Sequence, residues 1–487
     1  MKRFSMTVAA LTILLCSAGC ERTPPQPNIV FVVLDTVRRD ATALDGPVTP
    51  EPLRQKGLTP NLDRLSTEGV TFTKAWSAAP WTVPSHASMF TGLMPSQHLC
   101  VMSRPGLDAD IPTTAERLSA AGYNTVAFFS NPWLSDKSTR ILRGFDRKIM
   151  ADVGGLKTMA SNEGDQGGGA SLRNIRQWFA ARGDDKRPFL LFVNFLEAHL
   201  SYDPPAEYRE AHLADLSAED LIHIEWGHEV NAGVHADDTI DWNHVARLYA
   251  GDVWFADRML GELLALLEEQ GLDDDTIVIV TSDHGENLGE HGLIEHQFSV
   301  HETVLGVPLV VRVPEGLSSS RLDGIVGPGS LRDDPVMTTD LYATILDLAG
   351  LAEAVAEAPP SSHTLLVRPE HDDRFTVAEY GGPSRGLLAK LQQMNPELDR
   401  RRLSRSLQTV RLGDLRLTID NTAFYELHDI AADPSQVRNL ARQRPEDLQR
   451  LLNILSAIQS VGRNDAEPLE QMDEETRRRL ESLGYVN

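Results

Sequence analysis

A chain of 487 residues with 41% hydrophobic and 24% charged content has the composition of a globular protein large enough to bury an extended core. Its formal net charge of −24 speaks against nucleic acid as a partner, because such proteins present basic surface to phosphates. Of the three cysteines, Cys16 and Cys20 lie in the N-terminal segment and Cys100 stands alone, so the folded body has no pair for a disulfide.

Lys2 and Arg3 precede an apolar run from Val8 to Leu15. That run is shorter than the ~20 apolar residues a bilayer span takes, and it reads as the core of an export signal. Ser17-Ala18-Gly19-Cys20 resembles a bacterial lipobox. Residues 1–20 are then a lipoprotein signal peptide, Cys20 is the acylated first mature residue, and 21–27 form a polar tether. This predicts a lipid-anchored protein of the bacterial cell envelope, outside the cytoplasm; plain secretory cleavage is the alternative.

Asn28 to Leu34 is a continuous apolar run ending on Asp35, the pattern of a central parallel strand. Further strands are predicted at Thr125–Phe129, within Pro188–Phe195, and at Thr276–Val280, with helices over Leu58–Glu68, Ala170–Ala181 and Val245–Gln270. Strands alternating with helices predict an α/β fold, a doubly wound and mostly parallel sheet, over a catalytic domain at 28–355. The Gly-rich stretch from Gly154 to Gly169 reads as a mobile loop, and Pro204–Asp241 as a polar, His-containing insertion, a surface excursion with a lid as the alternative. An Ala/Glu/Pro-rich stretch from Ala352 to Ser362 marks a boundary. Beyond it, 363–487 reads as a smaller C-terminal α+β subdomain. Its antiparallel strands are expected at Phe375–Tyr380, Leu407–Leu412, Leu415–Ile419 and Ala423–Leu427, followed by an amphipathic helix over Pro445–Ser460 and a helical tail.

In doubly wound sheets, ligands bind beyond the carboxyl ends of the strands. Asp35, Asn131, His199 and Asp283 all fall there. Asp35, Thr82, Asp283 and His284 together suggest a site for one divalent metal ion. Carboxylate oxygens with one imidazole suit Zn or Mn and are compatible with Ca or Mg. Such a metal would activate the otherwise weak Thr82 hydroxyl and polarise the oxygen under attack.

The run Thr82-Val83-Pro84-Ser85-His86 through Thr91-Gly92 resembles the signature of the sulfatase family in the alkaline phosphatase superfamily. Pro27–Asp35, Thr59-Pro60-Asn61-Leu62-Asp63-Arg64-Leu65, Ser282-Asp283-His284-Gly285-Glu286, Val307-Pro308-Leu309-Val310 and Tyr425–Ile430 match in the same order, and the resemblance runs to about Leu452. Three departures matter. Thr82 stands where sulfatases carry the Cys or Ser oxidised to formylglycine, and the Thr Cβ already bears a methyl. Thr36 replaces a second metal-binding Asp. Ser130-Asn131-Pro132-Trp133 replaces a Gly-Lys-Trp-His segment, so both cationic sulfate ligands are missing. A Thr nucleophile is instead similar to that of lipoteichoic acid synthases, phosphoethanolamine transferases and nucleotide pyrophosphatases of the same superfamily.

His199 matches a family active-site His, and His296 has the spacing from His284 seen in the Thr-type transferases. His86 follows Thr82 by one helical turn. These three are the candidate acid–base groups, and Asn131, in place of the Lys, is a candidate oxyanion donor. The resemblance implies a metal-dependent hydrolase of phosphate or sulfate esters, small or borne by the cell envelope, that works through Thr82 without formylglycine. The alternatives are a transferase of phosphoethanolamine or phosphoglycerol type to a cell-envelope acceptor, and an inactive binding protein on the same scaffold.

Overall fold

In the computed structural model, described for residues 26–460 apart from 44–48, 152–164, 218–219, 318–321, 323–324, 326 and 370–373, together with residue 462, the apolar runs become the centre of one sheet. The signal segment with Cys20 and the expected helical tail lie outside the described residues. From edge to edge the sheet runs Ser330–Arg332, Val70–Phe72, Leu309–Arg312, Thr276–Thr281, Asn28–Leu34, Phe189–Phe195, Asn124–Phe129 and Arg147–Met150. Leu309–Arg312 alone is antiparallel to its neighbours; the five strands from Thr276–Thr281 to Arg147–Met150 are parallel. The central strand is buried on both faces because apolar clusters cover both. Phe31 and Val33 face a layer with Phe90 and Phe192, and Val30 and Val32 face a layer with Leu260 and Leu263 of the long helix Trp242–Glu269.

The predicted doubly wound α/β architecture is therefore the one formed, with strands Val70–Phe72, Leu309–Arg312 and Ser330–Arg332 added at one edge. Those segments are too short to show a period of two. The insertion over 204–241 is more structured than its polar composition suggests. It forms helices Ala206–His212 and Ile224–Asn231, and Asn231 pairs through its amide with both the N–H and the C=O of Ile294. It thereby buttresses a hairpin of the site.

The C-terminal sheet is antiparallel and sequential: Phe375–Tyr380, Leu407–Leu412, Leu415–Asp420 and Tyr425–Asp429. The last strand starts two residues later than the sequence suggests. Asp420 Oδ1 accepts from the N–H groups of Thr422 and Phe424, and Ala423 takes φ 60, so a side-chain-built turn absorbs the difference. Helix Pro445–Gln459 covers the sheet through Leu451 and Leu455. Ser361 and Ser362 hydrogen-bond back to Gly92 and Thr339, tying the boundary stretch to the catalytic body.

Glu302 joins the two sheets. Its Oε1 accepts from Arg411 at 3.1 Å and Arg416 at 3.2 Å, and its Oε2 from Trp76 at 2.9 Å. Burial alone would raise its pKa, but Arg411, Arg416 and Arg39 overcome this and hold it at about 2. A folded pKa below the unfolded value adds stability above the unfolded pKa. That contribution is lost as pH falls from about 4.5 through about 2. Glu302→Ala should therefore cost about 3–5 kcal/mol, because it strands buried guanidiniums. It should also flatten the acid limb of the stability profile, read by denaturant unfolding from pH 7 to pH 2.

Candidate active site and metal centre

Four strand ends converge. Asp35 follows Asn28–Leu34, Asn131 follows Asn124–Phe129, His199 follows Phe189–Phe195, and Asp283 with His284 follows Thr276–Thr281. Thr82 arrives from elsewhere, as the first residue of the buried helix Thr82–Thr91, where the helix dipole favours negative charge on its oxygen. All of these side chains are buried.

The polar atoms divide into those satisfied by protein and those left over. Asp35 Oδ2 accepts from Asn131 Nδ2 at 2.9 Å and Asn194 Nδ2 at 3.0 Å. Asp283 Oδ1 accepts from the N–H groups of Thr36 at 3.2 Å and His284 at 3.0 Å. His284 Nδ1 faces the Gly285 carbonyl at 3.1 Å, which makes it the donor and leaves the lone pair on Nε2. What remains is Asp35 Oδ1, Asp283 Oδ2 and His284 Nε2, one atom from each group, buried and without a hydrogen-bond partner among the described residues. One ligand atom from each of the three groups lies within 4.8 Å of the others, and His284 Nε2 stands 3.2 Å from Asp283 Oδ2. Buried polar atoms are rarely orphaned. Three orphans of two carboxylates and an imidazole, each oriented by outer hydrogen bonds, fit a divalent cation.

Charge tells the same story. Burial, and then the Asp283 charge, push the Asp35 carboxyl above the usual range. Burial would lower His284, but Asp283 outweighs it and holds the imidazole up at about 9.

Thr36 is strained to serve this cluster. Its φ of 62 is rare for a β-branched residue. Its N–H reaches Asp283, while its carbonyl accepts from the Tyr249 hydroxyl at 2.8 Å. The position contributes backbone rather than a carboxylate.

Asn131 Nδ2 also reaches Thr82 Oγ1, at 3.2 Å, so one amide bridges the candidate nucleophile and Asp35. Its Oδ1 accepts from the Trp133 N–H. His86 sits behind the hydroxyl. Its Nδ1 lies 2.9 Å from the Thr82 carbonyl and 3.6 Å from Asp283 Oδ2, and its ring packs among Phe90 and Phe192, where burial lowers its pKa. His199 and His296 stand together with ring centroids 5.4 Å apart, and His296 lies 4.4 Å from His284. His199 Nδ1 is held by the Leu200 carbonyl at 2.6 Å.

A pair the sequence did not reveal supports His296. Its Nδ1 lies 2.7 Å from Glu286 Oε1, and Glu286 Oε2 accepts from the Tyr202 hydroxyl at 2.6 Å. Glu286 is thus spoken for on both oxygens, although it could otherwise join His284 and His296 around an ion. The signal available was the spacing of Glu286 and His296 across Gly289 and Gly292, which here becomes a hairpin of Asn287–Leu288 with Ile294–Glu295.

A mostly parallel sheet carries a candidate cation site of two carboxylates and an imidazole beside a hydroxyl at a helix N-terminus, an arrangement expected of a hydrolase of the alkaline phosphatase superfamily. Residues 27–351 match the family model Sulfatase, and the chain belongs to the sulfatase family, a family of ester hydrolases. It is 25% identical over 378 residues to an arylsulfatase of Clostridium perfringens, covering 67% of this chain and 76% of that protein. It is 24% identical over 424 residues to the multifunctional alkaline phosphatase superfamily protein PehA of Trinickia caryophylli, covering 71% and 80%. The solved structure of a phosphonate monoester hydrolase of Agrobacterium radiobacter superposes with a TM-score of 0.65 at 20% identity, covering 89% of this chain and 95% of that one, a likeness of fold.

Proposed function

We propose that the chain is a metal-dependent hydrolase that cleaves phosphate-type esters with Thr82 as nucleophile and without formylglycine. The observation that carries this is the Thr82 hydroxyl, hydrogen-bonded through Asn131 to Asp35, beside the three orphaned ligand atoms. Asp35, Asp283 and His284, with Thr82 beside them, would hold a divalent cation, whose charge would acidify the Thr82 hydroxyl and polarise the ester oxygen. Thr82 Oγ1 gives its proton to His199 or His296, both kept neutral by burial, as it attacks phosphorus, and the imidazole passes that proton to the leaving oxygen as its bond to phosphorus breaks. Water then attacks the threonyl phosphate and gives a proton to the imidazole, which returns it to Thr82 Oγ1 as the bond to phosphorus breaks and phosphate leaves.

The preference for phosphate follows from the missing aldehyde hydrate. A threonyl sulfate cannot collapse by carbonyl formation as formylglycine sulfate does, because the Thr82 Cβ has no second hydroxyl to become the carbonyl. A phosphonate monoester hydrolase shares this fold, and PehA is named a multifunctional alkaline phosphatase superfamily protein, which supports chemistry at phosphorus on such a scaffold. Protein produced without any maturation enzyme should show kcat/KM at least ~10-fold higher, about 1.4 kcal/mol, on aryl phosphate mono- or diesters than on the matched sulfate. A sulfate preference that disappears in Thr82→Ala would overturn the phosphate reading and leave the nucleophile in place.

A further inference from the structure

The hairpin that carries Glu286 and His296 ends in a turn with its own chemistry. Gly289, His291 and Gly292 all have positive φ, at 109, 58 and 66. A Cβ on Gly289 would meet Trp242 at 2.3 Å, so the turn is packed in place. It presents His291, whose ring stacks on His301 with centroids 3.7 Å apart and planes 11° from parallel. The His291 carbonyl accepts a hydrogen bond from Arg402 of the short helix Arg400–Leu403.

Three neighbouring cavities, about 260, 480 and 400 Å³, all include His291. The first two share Arg402, and the first and third share His301. The second and third fall within the ~300–1,000 Å³ of small-ligand sites, and the first lies just below it. Among the described residues no carboxylate lies within 4.0 Å of the Arg402 guanidinium, in a chain with 70 acidic against 46 basic side chains. The acids that share these walls are committed elsewhere: Glu290 to Arg38, Glu302 to Arg411 and Arg416, and Asp237 to Trp242. Glu426 also lines the smallest cavity. Burial keeps both stacked imidazoles below the usual range, so the pair adds polar ring edges without a charge of its own, and Gln436 hydrogen-bonds His301.

We propose that Arg402 and the His291–His301 stack form a subsite for a second anionic group, a sulfate, phosphate or carboxylate, on the part of the substrate remote from the cleaved ester. The word substrate rests on the ester-hydrolase reading; the binding of an anion does not. At ~3.3 Å per strand residue, the turn begins roughly 10 Å from Glu286, within reach of a second unit of an oligomeric ester.

Calorimetric titration of the full chain carrying Thr82→Ala tests this without turnover. The probes are disaccharides with a phosphate ester on the first ring and a sulfate, a carboxylate or a hydroxyl on the second. At least one charged probe should bind about tenfold tighter than the hydroxyl probe, and the better of the two identifies the anion. Adding Arg402→Ala should erase that advantage and leave the hydroxyl probe unchanged; His291→Ala should reduce it. Arg402 is exposed, so its truncation spares the fold. Equal binding of all three probes, no binding of any, or an equal loss for all three in Arg402→Ala would overturn the subsite. If the charged-probe advantage holds while wild type cleaves no aryl ester, the hydrolase reading fails and the subsite stands.

Discussion

Thr82→Ala is expected to lower turnover by roughly 10⁴-fold or more, the scale seen when a covalent nucleophile is removed. The fold should barely register it. The side chain loses its bond to Asn131, worth about 1 kcal/mol, and keeps its Cβ at the start of helix Thr82–Thr91. Thr82→Ser restores an oxygen at the same place and should recover most of the activity. Acid quenching of the wild type during steady state should leave phosphate on the peptide containing Thr82, and none on that peptide in Thr82→Ala. If Thr82→Ala turned over normally, the oxygen hydrogen-bonded to Asn131 would be a spectator, and the attacking group would have to be water.

The cluster of Asp35, Asp283 and His284 is legible in the sequence because its residues obey a rule of topology. A continuous apolar run that ends on an acid is a buried parallel strand delivering that acid to the sheet's carboxyl edge. Asp35 and Asp283 both follow such runs and meet across paired strands. The Glu286–His296 pair was hidden because its hairpin has strands of two residues each, too short for any periodicity. The role of Thr36 was hidden because it lies in φ, not in side-chain type. His86 was read as an acid–base candidate from its one-turn spacing; that spacing instead turns Nδ1 back to the Thr82 carbonyl and the ring into aromatic core. The insertion at 204–241 was taken for surface because its composition is polar, yet Asn231 uses that polarity to hold the hairpin backbone.

Asp283→Asn is expected to strip the protein of its divalent metal and most of its activity while preserving the fold. The amide keeps an Oδ1 acceptor for the N–H groups of Thr36 and His284, and it removes the charge and the lone pair at Oδ2. Elemental analysis should find about one equivalent of metal in the wild type and little in the variant, and chelation of the wild type should mimic the substitution until metal is restored. The proton inventory gives an independent check. In chelated protein Asp283 holds His284 at about 9, above the ordinary imidazole value of 6.5, so the imidazolium stabilises the fold fully below pH 6.5. That contribution fades as pH rises through about 9. A ligating imidazole must be neutral, so metal uptake at pH 7 has to expel that proton and should tighten as pH climbs from 6 to 9. Calorimetry in two buffers of different ionisation enthalpy counts the released proton, and Asp283→Asn, which no longer raises His284, should release less. Full metal retention by Asp283→Asn with unchanged turnover and proton release would remove Asp283 from the ligand set.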